Sequence, residues 1–162
     1  FSILNINDKM INKYLIYKNL YINRKFSSGK KIIKKLDHYQ WWFLKQKLRK
    51  SFFVLKQDIP IFISTSDHFK YKKYNFIYSG LISCLSETNL FDLLKAIKIQ
   101  NQYLDKQKNK YCFISIDKNN RVLMHHWKYF GYSPLNKKNF FYRYVKNFFS
   151  IGKNFDIFYK KV

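Results

Sequence analysis

Positive charge dominates this chain. Its 32 lysines and arginines face only 9 aspartates and glutamates, a formal charge of +23, while 21% of its residues are aromatic. A compact chain of this size cannot neutralise that surplus internally. The fold must bury its rings and turn its ammonium groups outward. Such a surface needs a polyanion nearby, and aromatic faces among basic side chains suit RNA.

A length of 162 residues allows one domain or two small ones packed together. Hydrophobic residues make up 47%, ample for a core, and so aromatic a chain is not disordered throughout. The abundant Lys, Asn, Ile, Phe and Tyr have A/T-rich codons, the bias of many organelle genomes. That bias alone does not explain the charge. Glutamate and lysine codons differ by one base, yet Glu87 is the only glutamate. Cys84 and Cys112 lie inside apolar runs and read as buried thiols, not as a disulfide or part of a metal site. No run approaches the roughly 18 apolar residues of a membrane-spanning helix. The best, Phe76 to Leu85, is too short. The chain opens at Phe1 without a secretory signal. This implies a start upstream, a removed leader, or one piece of a rearranged protein.

Hydrophobic spacing gives the coarse elements. Residues 1–25 lack clean periodicity and hold a strand or form an extension. Phe26 to Lys31 reads as a basic turn into a short strand, Lys31 to Leu36. Tyr39, Trp42, Phe43 and Gln46 share helical spacing, which predicts a helix from Asp37 to about Ser51. Ile59 to Ile63 is a strand with Pro60 at its start or edge, and Ser64-Thr65-Ser66-Asp67 is a polar turn after it. A basic aromatic stretch, Phe69 to Tyr74, precedes a strand at Leu81 to Leu85. Asn89 caps a helix with Leu90, Leu93, Leu94 and Ile97 on one face. Tyr111 to Ile116 is a strand. Asn119 or Asn120 opens a second helix, which Gly131 ends. Asn136 to Gly152 carries weak signals, and Phe155 to Lys160 is a closing strand. Strands mixed with a few helices give an α+β class, as two small mixed domains with short helices on small sheets. A tract over 1–25 precedes regions 26–87 and 88–162, divided where composition changes at Ser86 to Asn89.

These motifs resemble the family of small-subunit ribosomal protein eight, with its two domains in reversed order. Asp92-Leu93-Leu94-Lys95-Ala96-Ile97-Lys98 is similar to the helix opening that family's N-terminal domain. Phe113 to Lys118, followed by Lys128-Tyr129-Phe130-Gly131-Tyr132, resembles its next strand, turn and helix, and Phe155 to Lys160 its closing strand. In the first half, Ser27-Ser28-Gly29-Lys30-Lys31-Ile32 is similar to a turn of the family's C-terminal domain. Ile61 to Ser66 resembles its apolar strand with a Ser-Thr-Ser loop, and Ser79 to Leu85 its final strand. The resemblance implies that Ser64, Thr65 and Ser66 seat on the central domain of the small-subunit rRNA, and that Lys95, Lys98 and Lys118 face RNA.

Other candidate contacts come from charge. Lys30, Lys31, Lys34 and Lys35 cluster beside a turn and suit phosphate. Lys70, Lys72 and Lys73 alternate with Tyr71 and Tyr74, which stack on bases or pack on a strand face. Trp41, Trp42 and Trp127 read as packing anchors. His125 and His126 point to different sides of a helix without a carboxylate or thiol cluster, so no metal is assigned. The glycines stand alone and the acids are scattered, so no catalytic constellation is visible. The expectation is therefore a non-enzymatic, structural rRNA-binding protein of an organellar small ribosomal subunit, in the mitochondrion. Its partners are small-subunit rRNA and neighbouring ribosomal proteins, with no cofactor, no membrane span and no small-molecule substrate. The alternative is a peripheral accessory subunit of an organellar respiratory-chain complex.

Overall fold

The computed structural model describes residues 1–27 and 30–162. In chain order the elements are β1 (Ser2–Asn5), α1 (Ile11–Lys18), α2 (Tyr21–Lys25), α3 (Lys35–Lys45), β2 (Arg49–Lys56), β3 (Ile59–Tyr71) and β4 (Tyr74–Ser83), then α4 (Leu90–Asp105), β5 (Tyr111–Asp117), α5 (Arg121–Tyr129), β6 (Ser133–Pro134), α6 (Phe140–Phe148) and β7 (Phe155–Lys161). The strands form one mixed sheet in the order β1-β2-β3-β4-β5-β7-β6, so the class is α+β. Two-residue loops make the hairpins β2–β3 and β3–β4. Gln57 and Asp58 both take positive φ, the backbone twist a tight hairpin needs. The link from β4 to β5 differs. These strands are parallel, so the chain must cross over, and α4 is the crossover.

Both faces of the sheet are covered, which is why its strands read as nearly continuous apolar runs. Alternate residues go to opposite layers. Ile77, Cys112, Ile114 and Ile116 meet Ile97 and Leu104 of α4 and Trp127 of α5. Phe53 and Ile63 meet Ile11 and Tyr14 of α1 and Trp42 of α3. Phe76, Phe113 and Ile157 meet Val145 of α6 inside an aromatic cluster. Thus α4 and α5 cover one face, while α1 and α3 share the other with α6. Among the described residues no helix is long and apolar enough to cross a membrane.

Several local signals match the structure. The Asn89 side chain accepts a hydrogen bond from the Asp92 N–H at the start of α4, and Asn120 does the same for Leu123 at the start of α5. Gly131 ends α5 with φ +85°. Cys84 and Cys112 are buried free thiols, and burial pushes each up to about 12, so neither supplies a thiolate nucleophile. Other readings change. Ser64 to Asp67 form no turn; they lie within β3, hydrogen-bonded between β2 and β4. The helix expected to Ser51 stops at Lys45, because Ser51, Phe53 and Leu55 alternate with Phe52 and Val54 as strand residues. Ile32 to Lys34 form no strand, and Lys35 already begins α3. The weakly patterned stretch after Asn136 holds α6, capped by Asn139. The turn expected at Ser28 and Gly29 lies outside the described residues.

Candidate active site

The sheet opens at one place. Strands β4 and β5 pair only at Phe76–Tyr111, Ile77–Cys112 and Tyr78–Phe113. Beyond that point β4 stays with β3 as far as Ser83, and β5 stays with β7 as far as Asp117. The two halves of the sheet diverge like a V. The wedge between them is a cleft of about 340 Å³, lined among others by Tyr78 to Ser83 of β4, Ile114 to Asp117 of β5, and Asn23, Leu93, Asn120 and Trp127 from the helical layers and their caps. The carboxyl ends of diverging parallel strands are where open α/β sheets receive ligands.

Divergence exposes backbone. At the mouth of the wedge, Asn23 of α2 takes the place of the missing strand. Its Nδ2 donates to the Ser83 carbonyl (2.7 Å) and its Oδ1 accepts from the Ser83 N–H (2.8 Å). Ser83 therefore turns its backbone polar groups away from β3. The two-residue period of a strand turns those of Leu81 the same way, into the cleft. The same period aims the backbone of Ser115 at the cleft from β5. Such groups need a partner. The spacing suits an extended, amide-bearing chain lying in the wedge as a short extra strand. The buried Ser79 hydroxyl on the same wall has no partner.

At the apex, where the strands still touch, the Tyr78 hydroxyl and Ser115 Oγ are hydrogen-bonded at 2.5 Å. Burial raises the Tyr78 pKa, so the phenol keeps its proton. Asp67 lies opposite Tyr78 across the β3–β4 ladder. It takes both arms of the Arg49 guanidinium, which also stacks on Trp41 and donates to the Tyr14 hydroxyl at 3.3 Å. Lys18 of α1 also lies over Trp41, with Nζ 4.1 Å from the ring centroid. A polar network thus runs across the sheet face from α1 and α3 to the apex.

Lys18 pays for its place. Burial first, and then the Arg49 charge, lower its pKa from 10.5 to about 8. The charged form is the disfavoured one in the fold. The penalty is full below about pH 8 and fades as pH rises towards 10.5, so stability climbs through that window. Lys18→Met is expected to flatten the climb. It should also stabilise the chain at pH 7 by roughly 1 kcal/mol, after discounting the lost cation–π contact. Urea unfolding at pH 7 and pH 9.5 checks both.

The residues singled out from sequence are scattered over the molecule. Ser64 and Ser66 are buried on the α4 side of β3, and Gln100 donates to Ser64 Oγ. Thr65 is buried too and donates to the Gly80 carbonyl. Lys31 and Lys34 precede α3, and Lys35 begins it. Lys95 and Lys98 lie on α4, where Lys95 covers Phe91. Lys70, Lys72 and Lys73 occupy the β3–β4 hairpin, while Tyr71 and Tyr74 pack against α6. Only Lys30 and Lys118 lie near the mouth of the wedge. Sequence reasoning missed Asn23, Tyr78, Ser79, Leu81 and Ser115. The one available signal was the strand–helix–strand order from Tyr74 to Asp117, which permits a parallel crossover.

No family model and no curated protein sequence matches the chain. Solved structures match it along nearly its whole length. A ribosomal-protein-alanine N-acetyltransferase from Brucella melitensis superimposes with a TM-score of 0.73 at 8% identity, covering 100% of both chains. An acetyltransferase of the GNAT family from Streptococcus pneumoniae gives 0.68 at 8%, covering 98% of this chain and 97% of its own. The Salmonella typhimurium protein yncA, solved with its cofactor acetyl-CoA, gives 0.66 at 7%, covering 98% and 90%. At such identities the likeness is one of fold. It overturns the resemblance to small-subunit ribosomal protein eight, because one acetyltransferase-like fold accounts for both halves in their actual order. The expectations tied to that resemblance fall with it: a structural, non-enzymatic rRNA-binding protein, with rRNA and ribosomal proteins as partners and no small-molecule substrate. The motifs misled because most were short apolar strands or helices with common flanking residues, and the Ser-Thr-Ser loop they featured is a buried strand.

Proposed function

We propose that the chain is an acyltransferase that receives an acyl thioester in the wedge between β4 and β5 and passes the acyl group to an amine. The wedge itself carries this reading: a V-shaped cleft with an unpaired backbone edge and a hydroxyl pair at its apex, on a fold shared with N-acetyltransferases. The residues fit the amide-bearing arm of acetyl-CoA. Leu81 offers an N–H and a C=O to that arm, the Ser79 hydroxyl lacks a partner, and Leu93 and Ile114 give it apolar walls. When bound, acetyl-CoA supplies an acetyl group activated as a thioester.

Transfer breaks a C–S bond, forms a C–N bond, takes one proton from the amine and leaves one on sulfur. The protonated Tyr78 phenol, hydrogen-bonded to Ser115, is the group placed to give that proton at the apex, and the phenolate it becomes recovers the proton that the amine releases. Asp67 and Arg49 border the apex from the α1–α3 face, each engaged with the other.

A direct test fills the wedge. Ser115 is half-buried with its Oγ on the Tyr78 hydroxyl, so Ser115→Phe crowds the apex with a ring and breaks that hydrogen bond. Pantetheine and coenzyme A, titrated calorimetrically, are expected to bind the natural chain and to lose at least about 100-fold in affinity to this variant, close to 3 kcal/mol. Circular dichroism of the variant checks that the fold is intact. Should neither compound bind the natural chain, the proposal is wrong.

A further inference from the structure

The wedge continues past its mouth into a second recess, and the start of α4 is poorly made for phosphate. A helix N-terminus holds phosphate through free N–H groups and the positive end of its dipole. Here one of those N–H groups is already engaged, and the dipole already faces a carboxylate. Asn89 takes the Asp92 N–H, and the buried Asp92 carboxylate sits in the first turn, held by Lys56 Nζ at 3.0 Å and by Asn89 Nδ2 at 2.9 Å. Glu87 adds a carboxylate just before the helix, and no glycine between Cys84 and Leu90 opens the loop to a close backbone approach.

The recess on the other side has the opposite character. It measures about 330 Å³ and shares Ser27, Asp117 and Phe155 with the wedge, so the two are continuous. Lys25, Lys30 and Lys153 line it, with Asp117 as its single carboxylate, which leaves a net charge of +2 (three minus one). The lysines are held in place from behind. Arg24 donates to the Lys30 and Asn19 carbonyls, and Lys118 Nζ donates to the Lys153 carbonyl at 2.8 Å.

We infer that this recess, and not the N-terminus of α4, binds the phosphate groups at the far end of the thioester donor. The inference rests on the acyltransferase reading and names a subsite of the same cleft. With the amide arm along β4, its end emerges at the mouth, where the chain offers three ammonium groups instead of a capped helix.

Calorimetry on the full chain tests it with pantetheine, which has no phosphate, and coenzyme A, which has several. Coenzyme A is expected to bind about tenfold or more tightly, the sum of three partly exposed ionic contacts, with an advantage that shrinks as salt is added. The triple variant Lys25→Gln, Lys30→Gln, Lys153→Gln should erase that advantage and leave pantetheine unchanged. Lys56→Gln, at the start of α4, should leave the advantage intact. The assignment is overturned if coenzyme A keeps its advantage in the triple variant, loses it in Lys56→Gln, or never has one. Failure of pantetheine itself to bind the natural chain sinks the acyltransferase reading, and this subsite with it.

Discussion

Arg49→Met is expected to lower the stability of the fold by about 3–5 kcal/mol, the range for a buried ion pair stripped of one partner. Arg49 and Asp67 face each other across β2 and β3, and each side chain is only 16% exposed. The guanidinium satisfies both carboxylate oxygens, closes on Trp41 and meets the Tyr14 hydroxyl. Its removal leaves a carboxylate among Tyr14, Tyr78 and the aromatic rings of α3, with both of its guanidinium hydrogen bonds lost. The pair is a poor source of net stability, because desolvating two charges costs about what their attraction returns. The double variant Arg49→Met, Asp67→Leu should therefore recover most of the loss. A double-mutant cycle by urea unfolding measures the coupling. If each single change costs under about 1 kcal/mol, or the double is as unstable as the sum of the singles, the network does not hold the sheet face as described.

Why hold a buried ion pair at all in a chain with so few acids? Its place gives one answer. It borders the apex of the wedge, where Tyr78 and Ser115 meet, and it fixes the register of β2 against β3 beside that point. The acids of this chain are sparing but placed. Asp92 ties α4 to β2 through Lys56, and Asp8 takes the Trp42 indole N–H and the Gln46 amide. With so large a positive surplus, each carboxylate inside the fold has a lysine, an arginine or a neutral donor to meet. Most of the remaining lysines are left outward, several of them around the mouth of the cleft.

How much of this was legible in the sequence follows from the range of each signal. Caps are local, so Asn89, Asn120 and Gly131 announced the ends of α4 and α5. Period-2 runs announced β5 and β7. The Ser64–Asp67 stretch was misread because hydroxyl-rich segments favour turns when only neighbours in sequence are considered. Inside the sheet, the ladder satisfies that backbone, Gln100 takes up Ser64 and Arg49 takes up Asp67. Those partners stand 36 and 18 residues away, beyond any local pattern. The α6 helix hid for a different reason. Phe140, Phe141, Tyr144, Val145 and Phe148 do share one helical face, but Phe, Tyr and Val also favour strands, so the run carried no clear local signal. The wedge was least legible of all. It is made by two strands that stop pairing, and nothing in either strand alone records where a partner leaves. The charge was read as a demand for a polyanion, but composition cannot tell a polymer from the phosphate end of a small molecule.

Phe76→Ala is expected to be the most damaging single truncation for the site as well as for the fold. Phe76 is 1% exposed on the first rung of the β4–β5 pairing, opposite Tyr111. Its ring lies 5.2 Å from Phe69, 5.4 Å from Phe113 and 5.1 Å from Phe141, with Tyr74 and Tyr111 completing the shell. Truncation removes the transfer energy of a buried ring and leaves a cavity lined by rigid aromatics that cannot collapse into it, a loss of about 4 kcal/mol. The cavity opens just below the fork, where only three residue pairs hold the strands together. Loosening there lets the two halves of the sheet spread, so pantetheine affinity should fall with stability. Phe76→Leu, which fills most of the space, should cost about 1–2 kcal/mol and keep the affinity. Urea unfolding and calorimetric titration of the two variants separate packing from binding. If Phe76→Ala loses the stability but binds pantetheine as the natural chain does, the aromatic cluster does not set the angle of the V, and the three backbone pairs at the apex suffice to hold it.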